Sequence, residues 1–155
     1  MTAYTYTDTV KTEWVDYNGH MNDAAYAIVF SACVDKLMAD IGLDETGRHD
    51  LQYTLFTLET HLCYLQEVHE GEKITVTLQL LDGDSKRLHV CFFMKNNQGD
   101  LLATSEQMLM GIDQTAARPA PFPDTAAGYI DELRRRDQHQ ERPIQAGRVI
   151  GIKKK

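Results

Sequence analysis

The segment from Ala24 to Ile41 constrains the fold more than any other part of the sequence. Its apolar residues recur at spacings of three and four, which is the pattern of an α-helix, and Gly42 follows where helices commonly end. The first half of the segment carries almost no polar residue, so it cannot be a surface helix with a single apolar stripe. We therefore expect other elements of the chain to wrap around this helix.

Segments with alternating apolar and polar residues supply those elements. Alternation with a period of two is typical of strands that bury one face. The alternating segments are residues 4–14, 53–65, 73–81, 87–95 and 101–112. Turn-forming residues separate the last three, with the loop lengths that antiparallel hairpins use. The sequence thus predicts an α+β fold in which a curved antiparallel sheet wraps round a long central helix.

The end of the chain adds one more helix to this arrangement. Pro119, Pro121 and Pro123 end the sheet, and the next residues, 126–139, have the composition of a short, charged surface helix. The 155 residues contain no repeat or domain linker and suffice for one core. We expect residues 1–124 to form the sheet-and-helix domain. The C-terminal helix and basic tail, residues 125–155, are expected to belong to the same domain.

Composition and charge exclude several classes of protein. The net charge of −7 argues against a nucleic-acid surface, which needs a concentrated positive stripe. No apolar stretch of about 18 residues is free of charge, so no membrane span is expected. The first residues lack the basic and apolar regions of an export signal. Cys33, Cys63 and Cys91 are widely spaced and suit reduced core residues. We expect a cytoplasmic protein.

Residues 14–22, Trp-Val-Asp-Tyr-Asn-Gly-His-Met-Asn, place a carboxylate, a glycine and an imidazole where a strand turns into the buried helix. The helix is expected to begin at Asn22 or Asp23, so its unpaired N–H groups and positive dipole end face whatever Asp16 faces. Such an arrangement can polarise a carbonyl oxygen. The same residues also have structural interpretations, since Asp16 suits a turn, His20 a hydrogen-bonded loop and Asn22 a helix N-cap.

The order of these features along the chain resembles that of a known family. The motif Asp-x-x-Gly-His-x-Asn at residues 16–22 lies between a strand and an apolar helix, and the strands that follow close with Arg-Pro-x-Pro-x-Pro at residues 118–123. Over residues 4 to about 123 the chain resembles hotdog-fold thioesterases of the 4-hydroxybenzoyl-CoA thioesterase type. Residues 14–21 and 57–62 resemble, more narrowly, the thioesterase module fused to or partnered with L-carnitine dehydrogenases. Members of that group are associated with hydrolysis of betainyl-CoA.

The resemblance implies roles for the residues of the motif. Asp16 stands where this family has its catalytic carboxylate, which either attacks the thioester carbonyl or draws a proton from an attacking water. Gly19 and the amides of the first helical turn would donate to the developing oxyanion. His20 would orient substrate or buttress the loop, and Asn22 would fix the amides. The implied partner is a small acyl-CoA, with no cofactor, and the implied assembly is a homodimer or higher homo-oligomer whose active sites are built from both chains.

Further residues are candidates for the acyl pocket. Glu59 and His61 share one face of the strand at 53–65, and either line the pocket opposite Asp16 or lie at an exposed face or subunit boundary. A trimethylammonium group is recognised mainly through aromatic faces and a nearby carboxylate. The aromatic candidates for such a cage, each of which also suits core packing, are Trp14, Tyr17, Tyr26 and Tyr64.

Lys86, Arg87 and Arg118 are candidate contacts for the coenzyme A phosphates, which the family holds with surface cations near the subunit edge. The six histidines show no metal-ligand spacing, so no metal is expected. The sequence therefore predicts an acyl-CoA thioesterase, with betainyl-CoA as the leading substrate and a short-chain or aryl acyl-CoA as the fallback. Two alternatives stay open: a hotdog enoyl-CoA hydratase or dehydratase, and a non-catalytic acyl-CoA-binding protein.

Overall fold

A computed structural model describes residues 3–154 of the chain, so Lys155 of the basic tail lies outside the described residues. The strands are β1 (Tyr6–Thr9), β2 (Tyr53–Tyr64), β3 (Lys73–Gly83), β4 (Arg87–Lys95), β5 (Leu101–Asp113) and β6 (Arg118–Pro119). The helices are α1 (Asp23–Asp40), α2 (Glu45–Leu51) and α3 (Asp124–Asp137), and a 3₁₀ turn covers Thr12–Trp14. The predicted α+β hotdog fold, with a curved antiparallel sheet around a long helix, is confirmed.

The sheet is antiparallel at every junction and runs in the order β1-β3-β4-β5-β2, with β6 pairing to one end of β5. Strands β3, β4 and β5 follow one another as a meander, as their alternating patterns and short turns predict. Strand β2, which precedes them in sequence, pairs only with β5 among the described strands and forms an edge of the sheet. The backbone groups on the outer side of β2 are therefore available to another strand.

Helix α1 packs one side against the sheet. Phe30 and Leu37 are fully buried, and the Phe30 ring lies 6.2 Å from the ring of Phe92 on β4. The opposite side of the helix, which includes Ala24 and Ile28, is exposed. Within one chain the sheet covers only one side of the helix, so part of its apolar first half stays exposed.

Helix α3 packs against β3 from the C-terminal side of the chain. Its inner residues, among them Ile130 and Leu133, are buried, and Asp137 accepts a hydrogen bond of 2.8 Å from the Leu80 N–H. The basic residues Arg134, Arg135 and Arg136 lie in its last turn, where they complement the negative end of the helix dipole. Among residues 3–154, no helix combines the length and apolar character needed to cross a bilayer.

Two local predictions are wrong. The first strand does not continue to residue 14, because the chain leaves the sheet after Thr9 and closes a 3₁₀ turn that buries Trp14. Helix α2 is absent from the prediction, although Asp44 caps it by accepting a hydrogen bond of 2.8 Å from the Gly47 N–H. Seven residues with only one large aliphatic side chain give no helical hydrophobic period.

A β-bulge in β2 changes which of its residues share a face. The pairing with β5 shifts between Thr57 and Glu59, so that Leu58 is the extra residue. Paired residues share a face of the sheet, and a slip of one position moves every later side chain to the opposite face. Glu59 and His61 therefore lie on the opposite face of the sheet from Thr57, whose partner Leu109 is buried.

Candidate functional site

The loop before α1 is held by short-range backbone pairing. Val15 and Met21 form an isolated β-bridge, and the Asp16 N–H donates to the His20 carbonyl at 2.9 Å. The Gly19 N–H donates to the Asp16 carbonyl at 2.9 Å, which closes a tight turn in which Gly19 has a φ of +77°. Glycine occupies this left-handed conformation without the steric cost that a side chain would add. The loop thus fixes Asp16 close to the start of the helix.

The Asp16 side chain stabilises this loop through one of its two oxygens. Oδ1 accepts hydrogen bonds from the Asn18 N–H at 2.9 Å and the His20 N–H at 3.3 Å. Among the hydrogen bonds of residues 3–154, none engages Oδ2, and the residue is exposed within one chain. The structure therefore combines the two interpretations of Asp16, because one oxygen holds a turn and the other is available to a reactant.

The first turn of α1 presents backbone donors beside this loop. The Asn22 side chain caps the helix by accepting from the Ala25 N–H at 3.0 Å, and its amide group donates to the Trp14 carbonyl at 2.8 Å. The cap satisfies only the Ala25 N–H. Within the described part of the chain, the N–H groups of Asp23 and Ala24 have no hydrogen-bond partner. Asn22 is thus the N-cap that the sequence predicts, and it anchors the helix start to the preceding turn.

A cavity of about 320 Å³ lies beside this first turn. Its lining residues come from the start of α1 and from the end of β2 with the segment that follows it: Met21, Asp23, Tyr26, Tyr64, Leu65, Gln66 and Glu67. The rings of Tyr26 and Tyr64 have centroids 5.1 Å apart and planes at 81°, so they pack edge to face and form an aromatic corner. Tyr64 is 50% exposed and Tyr26 only 4%, so Tyr64 offers most of the accessible ring surface. The Tyr64 hydroxyl donates to the Asp23 carbonyl at 3.2 Å, which ties β2 to the helix start.

Both tyrosines of the cavity are held in the neutral form. Burial, followed by the charges of Tyr64 and Glu67, raises the pKa of Tyr26, and burial with the charge of Asp23 raises the pKa of Tyr64. The carboxylates of Glu67 and Asp23, which also line the cavity, thus favour the neutral phenols of Tyr26 and Tyr64. The cavity offers aromatic faces and negative charge, which suits a compact organic cation.

His20 connects the Asp16 loop to this cavity. Its Nε2 lies 3.3 Å from a carboxylate oxygen of Glu67, and its ring meets the ring of His69 edge-on at 4.6 Å. The backbones of His20 and His69 also form a β-bridge. Neither Asp16 nor His20 lines the cavity within one chain.

Two of the predicted aromatic cage residues are not brought to the cavity. Trp14 is buried in the core, with Lys11 Nζ 4.9 Å from the centre of its ring, because the 3₁₀ turn replaces the strand that would have carried it. Tyr17 is 96% exposed at the tip of the loop. Within one chain, only Tyr26 and Tyr64 of the four aromatic candidates line the cavity.

Glu59 and His61 lie at a different cavity, of about 230 Å³, on the outer face of the sheet. This second cavity also contains His89 and Glu106, whose side chains form an ion pair of 2.7 Å. Within one chain Glu59 and His61 do not lie beside the Asp16 loop, which agrees with the second interpretation, an exposed face or subunit boundary. The bulge at Leu58 turns both side chains away from α1.

The three cations proposed for the coenzyme A phosphates are remote from the tyrosine cavity. Tyr64 pairs with Ala103 near the start of β5, whereas Arg87 pairs with Met110 and Arg118 with Asp113 near its end. At about 3.3 Å per residue, the separation along β5 is about 23 Å for Arg87 and about 33 Å for Arg118. Arg87 also forms a salt bridge with Asp84 at 2.6 Å. The structure of one chain does not bring these cations to the cavity.

Glu67 is the main site residue that the sequence analysis missed. It follows β2 in a short polar connection, where an exposed glutamate gives no signal of its own. Its proximity to His20 depends on the β-bridge between His20 and His69, which joins parts of the chain distant in sequence. Among residues 3–154, no group of three histidine, cysteine or acidic side chains is placed to hold a metal ion.

Comparisons with known proteins give consistent results. A family model described as the thioesterase-like superfamily matches residues 10–132. A betainyl-CoA thioesterase of Pseudomonas aeruginosa is 44% identical over 150 residues, which cover 96% of this chain and 94% of that relative. An L-carnitine dehydrogenase/betainyl-CoA thioesterase of Rhizobium meliloti is 35% identical over 94% of this chain. The chain spans only 29% of the length of that longer relative.

One solved structure is similar to this chain over almost its whole length. A hypothetical protein from Staphylococcus aureus, solved in complex with CoA, superposes with a TM-score of 0.93 at 39% identity. The match covers 98% of this chain and 96% of that one. The similarity therefore includes the C-terminal region beyond the residues that the family model matches.

Proposed function

Because the chain belongs to the thioesterase-like superfamily, we propose that it hydrolyses betainyl-CoA to betaine and coenzyme A. The observation that carries the substrate assignment is the cavity at the start of α1, where two tyrosine rings at 81° stand with the carboxylates of Asp23 and Glu67. The relatives named for this activity support the same substrate. Those that combine it with L-carnitine dehydrogenase support a place in carnitine breakdown.

The chemistry of the betainyl group explains why such a cavity suits it. A trimethylammonium group has no N–H to donate, so a protein attracts it through aromatic faces and nearby negative charge. Each cation–π contact contributes about 0.5 to 2 kcal/mol. Tyr26 and Tyr64 provide two faces, and Glu67 and Asp23 provide the charge. A neutral acyl group of the same shape gains neither contribution.

The reaction would take place between Asp16 and the start of α1. With the cationic group in the cavity, the thioester carbonyl oxygen would accept hydrogen bonds from the N–H groups of Asp23 and Ala24, where the helix dipole also favours negative charge. Asp16 Oδ2 would then attack the carbonyl carbon or take a proton from an attacking water. Collapse of the tetrahedral intermediate expels the coenzyme A thiolate, which needs little acid assistance because thiols have a pKa of about 8.5. If water attacked, this step gives betaine directly; if Asp16 attacked, it gives a mixed anhydride that a water then hydrolyses to betaine and free Asp16.

The proposal includes a homodimer formed across the edge strand β2. Ile28 on the outer side of α1 and Phe56 on β2 are both more than half exposed, which is costly for large apolar side chains unless a second subunit covers them. Pairing of two β2 strands would satisfy their free backbone groups and join the two sheets. A cytoplasmic location is part of the proposal and is supported by three buried cysteines without disulfides.

A panel of acyl-CoA thioesters tests the proposed function. Release of free thiol from betainyl-CoA, acetyl-CoA, butyryl-CoA and benzoyl-CoA is compared by kcat/KM, and hydration of crotonyl-CoA is followed in parallel. We expect betainyl-CoA to have the highest kcat/KM and crotonyl-CoA to stay unhydrated. Hydration without thiol release would identify a hydratase, and binding without turnover would identify an acyl-CoA-binding protein. Either result would contradict the proposal.

A further inference from the structure

The last part of the chain differs from the rest in charge and exposure. All 23 acidic residues and 11 of the 16 lysines and arginines lie in residues 1–141, which therefore carry a formal charge of −12. Residues 142–155 contain five lysines and arginines and no acidic side chain. Four large aliphatic residues in this part, Ile144, Val149, Ile150 and Ile152, are 84–88% exposed. We call residues 148–154 the C-terminal arm.

The arm leaves the body of the protein at a fixed point. The Gly147 N–H donates to both carboxylate oxygens of Glu106 at 2.9 Å, and Gly147 adopts the left-handed φ of +71° that its lack of a side chain permits. His89 contacts the same carboxylate at 2.7 Å. Burial alone would raise the pKa of Glu106, but the Gly147 N–H and the contact with His89 hold it below its usual value. Upstream, Gln79 donates to the Glu141 carbonyl at 3.1 Å.

The anchor point lies next to the edge of the sheet. Glu106 on β5 pairs with His61 on β2, and the second side of β2 has no partner strand among residues 3–154. The arm itself does not pack on its own body. A concavity of about 550 Å³ at the arm is lined by Ile144 and by arm residues alone. Exposed aliphatic side chains that cluster in this way are typical of a surface that another molecule covers.

We propose that the C-terminal arm of each subunit lies across the outer face of the partner's β2 and covers Phe56 and Leu58 of the partner subunit. This inference rests on the homodimer of the proposed function. Phe56 and Leu58 are 53% and 51% exposed, and they are the large apolar residues at the middle of the free edge. The arm's cations also match the acidic excess of the body, including Glu59 on the same strand.

The spacing between strands permits the arm to reach the partner's β2. Antiparallel pairing of two β2 strands about the middle of Tyr53–Tyr64 would place the partner's Phe56 opposite His61, beside the anchor point. Neighbouring strands are about 4.8 Å apart, so the partner's β2 lies two spacings, about 10 Å, from β5. Seven arm residues extend at about 3.3 Å each and reach about 23 Å. The arm is therefore long enough to cross the junction and lie along the partner strand.

Cysteine cross-linking between differently tagged chains tests the arm directly. One chain carries Ile150→Cys and the other Phe56→Cys, and the three native cysteines are buried, so they contribute little background. After mixing and mild oxidation, we expect a covalent heterodimer on a non-reducing gel. The matched control is Ile144→Cys, which is equally exposed but precedes the anchor at Gly147. Equal yields from the two positions would overturn the proposal.

Measurements of the dimer dissociation constant and of the molar mass distinguish a failure of the arm proposal from a failure of the proposed function. We expect the double variant Val149→Asp/Ile150→Asp to raise the dimer dissociation constant at least about tenfold without changing Tm of the dissociated chain, since the arm buries apolar surface only against the partner. An unchanged dissociation constant in a dimeric protein overturns the arm but leaves the thioesterase intact. A wild-type monomer by light scattering overturns the dimer and the arm together. Binding of the wild-type arm to vesicles rich in phosphatidylserine, without cross-linking, would also overturn the proposal.

Discussion

At the scale of single residues, Asp16 divides its two oxygens between structure and chemistry. Oδ1 closes the loop by accepting two backbone N–H groups, and this fixes the direction of Oδ2 without using it. A carboxylate held in this way loses little entropy when a thioester or a water reaches it. The same side chain can therefore be a turn residue and the reacting group.

Replacement of Asp16 by asparagine separates these two roles. Asparagine retains an oxygen that can accept the Asn18 and His20 N–H bonds, so Tm should change little. Loss of the carboxylate should lower kcat for thioester hydrolysis by at least about 100-fold. Asp113→Asn is the matched control, because Asp113 also accepts two backbone N–H bonds in a turn. Near wild-type turnover by Asp16→Asn would remove Asp16 from the mechanism.

Glu67 tests the contribution of charge to substrate selection. Its side chain is 70% exposed, so screening by water limits its contribution to about 1 kcal/mol or less. We expect Glu67→Gln to lower kcat/KM for betainyl-CoA about two- to fivefold and to leave that for a neutral acyl-CoA unchanged. Glu70→Gln, in the same connection but outside the cavity, should affect neither substrate. An equal loss for both substrates would assign Glu67 a structural role.

At the scale of elements, the sequence predicted those parts that depend on periodicity. The α1 helix, its Asn22 cap and the strands β2 to β5 follow from apolar spacing and turn residues. The bulge at Leu58, the 3₁₀ turn at Trp14 and helix α2 did not follow, because each depends on local hydrogen bonds that interrupt or lack a period. The bulge had the largest consequence, since it moved Glu59 and His61 to the other face of the sheet.

The candidate site likewise contains residues that local sequence patterns place and residues that strand pairing places. Asp16, Asn22 and Tyr26 lie close in sequence to the start of α1, so local pattern was sufficient to group them. Tyr64 and Glu67 reach the cavity through strand pairing and β-bridges, and only Tyr64 had a chemical property that suggested it. Contacts between distant segments depend on register, which the sequence of one chain specifies only weakly at an edge strand.

The N-cap of α1 links element stability to catalysis. Asn22→Ala removes the acceptor for the Ala25 N–H and the donor to the Trp14 carbonyl, and should lower the free energy of unfolding by about 1 kcal/mol. It should also lower kcat at least about tenfold, because the N–H groups facing the substrate lose their support. The matched control is Asp44→Ala, which removes the cap of α2. It should cost similar stability in urea unfolding but retain kcat; equal kcat losses in both variants would contradict this role.

At the scale of the whole molecule, the sheet, the helix and the loop form one frame around the tyrosine cavity. The Tyr64 hydroxyl ties the edge strand to the helix start, and the β-bridge between His20 and His69 ties the loop to the segment after β2. These ties hold two aromatic walls, two carboxylates and the helix donors around one cavity. We propose that this frame selects betainyl-CoA by its positive charge.

A comparison of betainyl-CoA with 3,3-dimethylbutyryl-CoA, in which a carbon atom replaces the quaternary nitrogen, tests this proposal. The two thioesters differ chiefly in the quaternary nitrogen, so the ratio of their kcat/KM values reports the contribution of charge. Two cation–π contacts of about 0.5 to 2 kcal/mol each predict a ratio of at least about five in favour of betainyl-CoA. A ratio of one or below would contradict the account, because the aromatic corner and its carboxylates would then contribute nothing to selection.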